Sequence, residues 1–198
     1  MTAAIDTSLL LLLLDPKTPT PNDGAGKPVS DAQQRVLHLL SELSKAKRKL
    51  IIPTPVLSEM LLLTQTAGQA YLEKINKSRA FIVAPFDQKA AIELALMTAV
   101  SKRQARKLRA GSAVTAAKLK FDRQIVAIAK VNGATTIYAS DSDLATFATN
   151  NGLEAIKLEE LELPEKDRQM DFLAWPDKDE SDEAPEPPAE LPDTPPPE

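Results

Sequence analysis

The sequence predicts an α/β domain built on a parallel sheet. Short strand-like runs alternate with longer segments of helical periodicity along most of the chain. Several of those runs are almost continuously apolar, the pattern of strands covered on both faces. The length of 198 residues and a hydrophobic fraction of 43% suit one domain with a real core.

The chain opens on Thr2-Ala-Ala-Ile-Asp-Thr-Ser-Leu-Leu and a leucine run from Leu9 to Leu14. This stretch is expected to be a buried first strand carrying one carboxylate, Asp6. A buried acid is costly unless it has partners. Residues 15–30 are rich in Pro, Gly, Thr, Asn and Asp, which predicts a surface loop adjoining that acid. Ser30 or Asp31 is placed to cap the next helix, whose apolar positions are Val36, Leu37, Leu40 and Leu43. Leu50-Ile-Ile predicts a second strand. Thr54 is expected as N-cap and Pro55 as the first residue of a helix reaching about Thr66. Tyr71, Leu72 and Ile75 mark a further helix within residues 68–77.

Phe81-Ile-Val-Ala predicts the third strand, closed by Pro85, and Asp87 caps the helix after it. A basic run follows, then a helix holding Phe121, Asp122, Ile125, Val126 and Ile128. Asn132-Gly133 ends that helix. Ala134-Thr-Thr-Ile-Tyr-Ala is the fourth strand, Ser140-Asp-Ser-Asp-Leu caps another helix, and Leu153 to Leu158 supplies a last strand. Residues 1–163 are taken as the folded domain and 164–175 as a connecting segment. Residues 176–198 have almost no apolar content, and a disordered Pro-rich acidic tail is expected there.

That tail distorts the net charge of −4: it holds nine acids and one Lys, a charge of −8. The preceding 175 residues hold 23 basic and 19 acidic side chains, or +4. A mildly basic body suits an anionic partner. The absence of Cys excludes disulfides and thiolate metal sites. The single His, His38, lies between leucines on a predicted helix and is assigned to its surface or core edge. The leucine run lacks a basic start and is shorter than the roughly 20 apolar residues of a membrane span, so a cytoplasmic protein with no membrane partner is expected.

The chemistry is sought in the acids. Asp122 has Ile125 and Val126 three and four positions on, and Glu59 has Val56 before it and Leu62 and Leu63 after it. Both acids therefore share the apolar face of a helix. Asp141 directly follows a buried strand, where open parallel sheets bind ligands. Asp143, two positions on, is a further candidate metal ligand. The plainer alternatives are an N-cap for Asp141 and buried salt bridges for Asp122 and Glu59. Half-buried carboxylates with no His or Cys suit a hard cation, Mg²⁺ or Mn²⁺. Such a site serves phosphodiester hydrolysis, because the ion activates water and stabilises phosphoryl charge. The basic stretch Lys102–Arg123 holds eight Lys or Arg. Lys102, Arg103, Arg106 and Lys107 are its candidate phosphate-binding residues, against the alternative of a solvated helix face.

Four motifs in order carry a family resemblance: Ile5-Asp-Thr-Ser-Leu-Leu, Pro53-Thr-Pro-Val-Leu-Ser-Glu-Met, Lys120-Phe-Asp-Arg-Gln-Ile-Val-Ala-Ile-Ala and Ile137-Tyr-Ala-Ser-Asp-Ser-Asp-Leu. Together they resemble the PIN-domain ribonucleases, including VapC-type toxins of toxin–antitoxin pairs, over residues 3–160. The resemblance implies a five-stranded parallel sheet flanked by helices, with Asp6, Glu59, Asp122 and Asp141 as catalytic and metal-binding acids around Mg²⁺ or Mn²⁺. It further implies that Ser8 orients Asp6 or a metal-bound water, an RNA substrate, an antitoxin partner and a homodimer. The chain departs from the family in Ala139, where Thr is common two residues before the fourth acid, in the long 15–30 loop and in the acidic tail.

A non-catalytic interaction or regulatory module of the same fold is the alternative function; the presence of all four acids argues against it. A receiver domain needs an acidic pair after strand one and a Lys after the last strand, and neither occurs here. No G-x-G-x-x-G is present for a dinucleotide.

Overall fold

The computed structural model describes residues 2–105 and 116–164, without the side chains of residues 100–117. The strands are β1 (Thr2–Ile5), β2 (Leu50–Pro53), β3 (Phe81–Ala84), β4 (Ala134–Ala139) and β5 (Glu154–Lys157). They form one parallel sheet in the order β3-β2-β1-β4-β5. The helices are α1 (Thr7–Leu14), α2 (Ala32–Lys45), α3 (Thr54–Thr64), α4 (Gly68–Lys77), α5 (Gln88–Ala105), α6 (Ala116–Val131) and α7 (Ser142–Asn150). The expected α/β class and five-stranded parallel sheet are therefore observed.

Successive strand residues point to opposite faces. Every residue of β2 and the last three of β1 are buried, so helices cover the sheet on both sides. Ala3, Ala4, Ile5, Ile51, Ile52 and Ile137 are wholly inaccessible and form the centre of the core. The strand order reverses direction between β1 and β4. In such sheets that point opens a crevice beyond the strand ends, and the chain places Asp6 after β1 and Asp141 after β4.

The leucine run corrects the sequence expectation. β1 stops at Ile5, and Thr7–Leu14 is a helix. Leucine is a strong helix former and is not β-branched. A short apolar run cannot be divided between strand and helix by periodicity alone. Asp6 resolves the ambiguity: its Oδ1 accepts the Leu9 N–H at 2.8 Å, which caps α1. Leu9, Leu10, Leu12, Leu13 and Leu14 are all buried, as an all-round apolar helix requires.

Two caps also differ from expectation. Pro53, not Thr54, precedes α3, and the Thr54 hydroxyl instead accepts the Phe86 N–H at 3.2 Å. Asp31 stands before α2 at φ 54° and makes no side-chain cap. Asp87 caps α5 as expected, its Oδ1 accepting the Ala90 N–H at 2.9 Å. The loop at 15–30 is folded locally by an isolated bridge between Asn22 and Pro28. The end of the domain is tied to α2 by Arg35, whose guanidinium donates to the Leu161 carbonyl. Among the described residues no helix is long and apolar enough to cross a membrane. The segment 165–175 and the tail 176–198 lie outside the described residues.

Candidate active site

At the crevice a cavity of about 610 Å³ is lined by Asp6, Glu59, Asp122 and Asp141, from four separate parts of the chain. Each acid is placed by a different local device.

Asp6 is 5% exposed and sits where β1 gives way to α1. Its Oδ1 serves the α1 cap. Its Oδ2 accepts the Ser140 backbone N–H at 2.7 Å and the Ser140 hydroxyl at 3.1 Å. Burial pushes the carboxyl up to about 6; the Leu9 and Ser140 hydrogen bonds oppose this, and the Asp141 charge adds to it. Ser140, rather than Ser8, holds Asp6. Ser140 thus supplies a hydroxyl in a segment where Ala139 has none.

Asp141 is the N-cap of α7, with Oδ1 accepting the N–H groups of Asp143 and Leu144 at 2.7 and 3.0 Å. Its Oδ2 faces the Lys118 Nζ at 2.5 Å. Burial raises the Asp141 carboxyl, but the Lys118 hydrogen bond and the two cap bonds outweigh it and hold the group below its ordinary value. The cap and cavity roles therefore coexist, one on each oxygen.

Asp122 is 8% exposed on α6, and its Oδ2 is buried without a hydrogen-bond partner. Burial, then repulsion from Asp141, pushes this carboxyl up to about 6; Lys118 opposes the shift, while Asp143 and Glu59 reinforce it. The orphaned oxygen is at odds with the buried salt bridge considered from the sequence.

Glu59 departs from expectation. It lines the cavity but is exposed, and the leucines that share its face, Leu62 and Leu63, are 75% and 59% exposed. That face of α3 borders the cavity instead of entering the core. Glu59 is steadied by Thr7, whose hydroxyl donates to Oε2 at 2.5 Å.

Asp143 is exposed in the first turn of α7 and does not line the cavity; its charge acts on Asp122 and Lys118 from nearby. Nor does any residue of the 15–30 loop line it. Among the described residues, no three acids are grouped closely enough to form a ready-made metal site. The expected convergence is thus a shared cavity, not a closed cluster. Like charges repel at short range, and Asp6, Glu59 and Asp141 are each held by the bonds described above. Arg106 and Lys107 lie outside the described residues, and so do the side chains of Lys102 and Arg103.

Thr7, Lys118 and Phe121 are among the lining residues that the sequence did not single out as site residues. Thr7 follows the first acid directly. Lys118 stands four positions before Asp122, hence on the same face of α6. Phe121, within the basic stretch, is 52% exposed beside Asp122.

No family model matches the chain, and no curated protein does. Solved structures similar to it include VapBC2 from Rickettsia felis, bound to a DNA fragment from its promoter. That match has 14% identity over 79% of this chain and 98% of the other, with a TM-score of 0.49. DNA-bound VapBC from Salmonella typhimurium is 15% identical over 80% of this chain and 98% of the other, TM-score 0.48. Mycobacterium tuberculosis VapC20, a toxin that cleaves the Sarcin-Ricin loop, is 17% identical over 73% of this chain and 93% of the other, TM-score 0.45.

Proposed function

We propose that the chain is a PIN-type, metal-dependent endoribonuclease that hydrolyses RNA phosphodiester bonds. The observation that carries this reading is the single cavity lined by Asp6, Glu59, Asp122 and Asp141 at the reversal point of a parallel sheet. Four carboxylates in one cavity repel one another and call for a cation.

The donor set fits Mg²⁺ or Mn²⁺. All four acids offer hard oxygen, and the orphaned Asp122 Oδ2 is a buried acceptor in need of a positive partner. When bound, such an ion supplies an activated water and stabilises charge on the phosphoryl group. The chain's own residues do the rest. Asp6 and Asp141 face the cavity from the ends of β1 and β4, held in orientation by Ser140 and by the α7 cap. Glu59 stands opposite on α3, steadied by Thr7. Lys118 contributes positive charge at the Asp141 side.

The finer reading, a toxin with an antitoxin partner and a homodimer, rests on the four sequence motifs. A small reading frame beside this one, encoding a protein that binds the chain and blocks it, is the test. For the nuclease itself the test is cleavage of single-stranded RNA with Mg²⁺ or Mn²⁺, abolished by EDTA and by Asp6→Asn. Full cleavage by Asp6→Asn would remove the proposal.

A further inference from the structure

The ammonium of Lys118 lies inside the cavity that the four acids line, 2.5 Å from Asp141 Oδ2. Its side chain is 47% exposed, so the charge stands at the mouth and not in the core. Asp122 is one helical turn further along α6. The lysine therefore shares the cavity with the two acids that act on it most, one by hydrogen bond and one through space.

Resting on the nuclease reading, we propose that Lys118 is the exchangeable cation of this site. It holds Asp141 while no divalent ion is bound. Displaced from Asp141, it becomes the contact to the RNA phosphate. Three properties suit it to both positions. Its four-carbon stem is flexible and ends in a compact point charge with three donors. One oxygen of Asp141 is committed to the α7 cap, so Lys118 and a metal ion compete for the other. And a cavity holding four carboxylates repels a phosphodiester unless a cation faces it.

Exchange predicts opposite signs for two measurements on one variant. Mn²⁺ titrations of full-length wild type, Lys118→Met and Lys118→Arg are read by calorimetry and by the rise in melting temperature. Lys118→Met keeps the stem and removes the competitor, so it should bind Mn²⁺ roughly 2- to 5-fold more tightly than wild type, a partly exposed ion pair being involved. Lys118→Arg keeps the charge and should stay close to wild type. With Mn²⁺ saturating and a short single-stranded RNA as substrate, Lys118→Met should raise KM roughly tenfold or more while kcat changes little, as loss of a charged hydrogen bond requires.

Mn²⁺ affinity in Lys118→Met equal to or below that of a metal-binding wild type would overturn the exchange, leaving the nuclease reading in place. An unchanged KM would overturn the phosphate contact. Absence of Mn²⁺ binding in all three proteins would remove the metal-site reading and this inference together.

Discussion

Ser140 bonds Asp6 Oδ2 twice, through its backbone N–H at 2.7 Å and its hydroxyl at 3.1 Å. The pair locks the end of β4 to the end of β1. That lock positions Asp6, while Asp141, the next residue after Ser140, is held by the α7 cap and Lys118. Ser140→Ala keeps the backbone bond and removes the hydroxyl. Loss of one hydrogen bond to a charged group should cost about 1.5 kcal/mol, lowering the melting temperature by about 3–6 °C for a domain of this size. The loss should be largest at pH 8, where Asp6 is ionised, and smaller at pH 4.5. Melting identical to wild type at both pH values would show that the hydroxyl carries nothing.

The pH dependence of stability follows from Asp6 and Asp122, both pushed up to about 6 from 3.8. The folded state binds these protons more tightly than the unfolded chain. Their ionised forms therefore destabilise the metal-free fold above pH 6, and that penalty is relieved as pH falls from about 6 towards 4. The lowered Asp141 works the other way, but only as pH falls towards and below its ordinary value. Metal-free protein should melt at a higher temperature at pH 5 than at pH 7.5. With Mn²⁺ saturating the order should reverse, because protons then compete with the ion. A metal-free melting temperature that falls steadily from pH 7.5 to 5 would contradict the assignment.

Thr7→Val retains shape and removes the hydroxyl that steadies Glu59. Partners that orient a ligand are worth about 10- to 100-fold in metal affinity or activity. A tenfold loss of Mn²⁺-dependent cleavage, with melting little changed, is expected from steady-state rates and a thermal scan. Wild-type rates would show that Glu59 needs no such support.

The parallel sheet was legible because its strands are β-rich or wholly apolar and are separated by helical periodicity. Asp6 and Asp141 were legible because an acid at the end of a buried strand is a local signal. The boundary between β1 and α1 was not, because the six consecutive leucines from Leu9 to Leu14 carry no period to read. Glu59 misled for a related reason. Apolar residues at helical spacing mark a face, but nothing in Leu62 and Leu63 says whether that face meets core or cavity. Thr7, Ser140 and Lys118 act on acids up to 134 positions away, and such pairings exist only once the sheet has brought the strand ends together.

The acidic tail offers a separate test. Residues 176–198 carry −8 against +4 for the rest of the chain. Truncation at Pro176 should leave the melting temperature unchanged. It should also tighten RNA binding at low salt, with the difference fading at high salt as charges are screened. A drop of several degrees would show that the tail docks on the fold, and equal RNA affinities at low salt would show that it does not compete.

The central claim is that the four acids share one divalent ion, and Asp122→Asn tests it most directly. The substitution keeps the shape of a side chain that is 8% exposed and removes one charge from the cavity. The measurement is the melting temperature of wild type and variant at pH 7.5, without metal and with Mn²⁺, alongside RNA cleavage. Wild type should gain about 2.7 kcal/mol at one hundred times the dissociation constant. Asp122→Asn should melt at or above wild type without metal, because repulsion is relieved, and should lose both the Mn²⁺ stabilisation and the cleavage. Breaking a buried ion pair would instead cost about 3–5 kcal/mol. Metal-free melting well below wild type, with Mn²⁺ stabilisation and cleavage retained, would contradict the shared site.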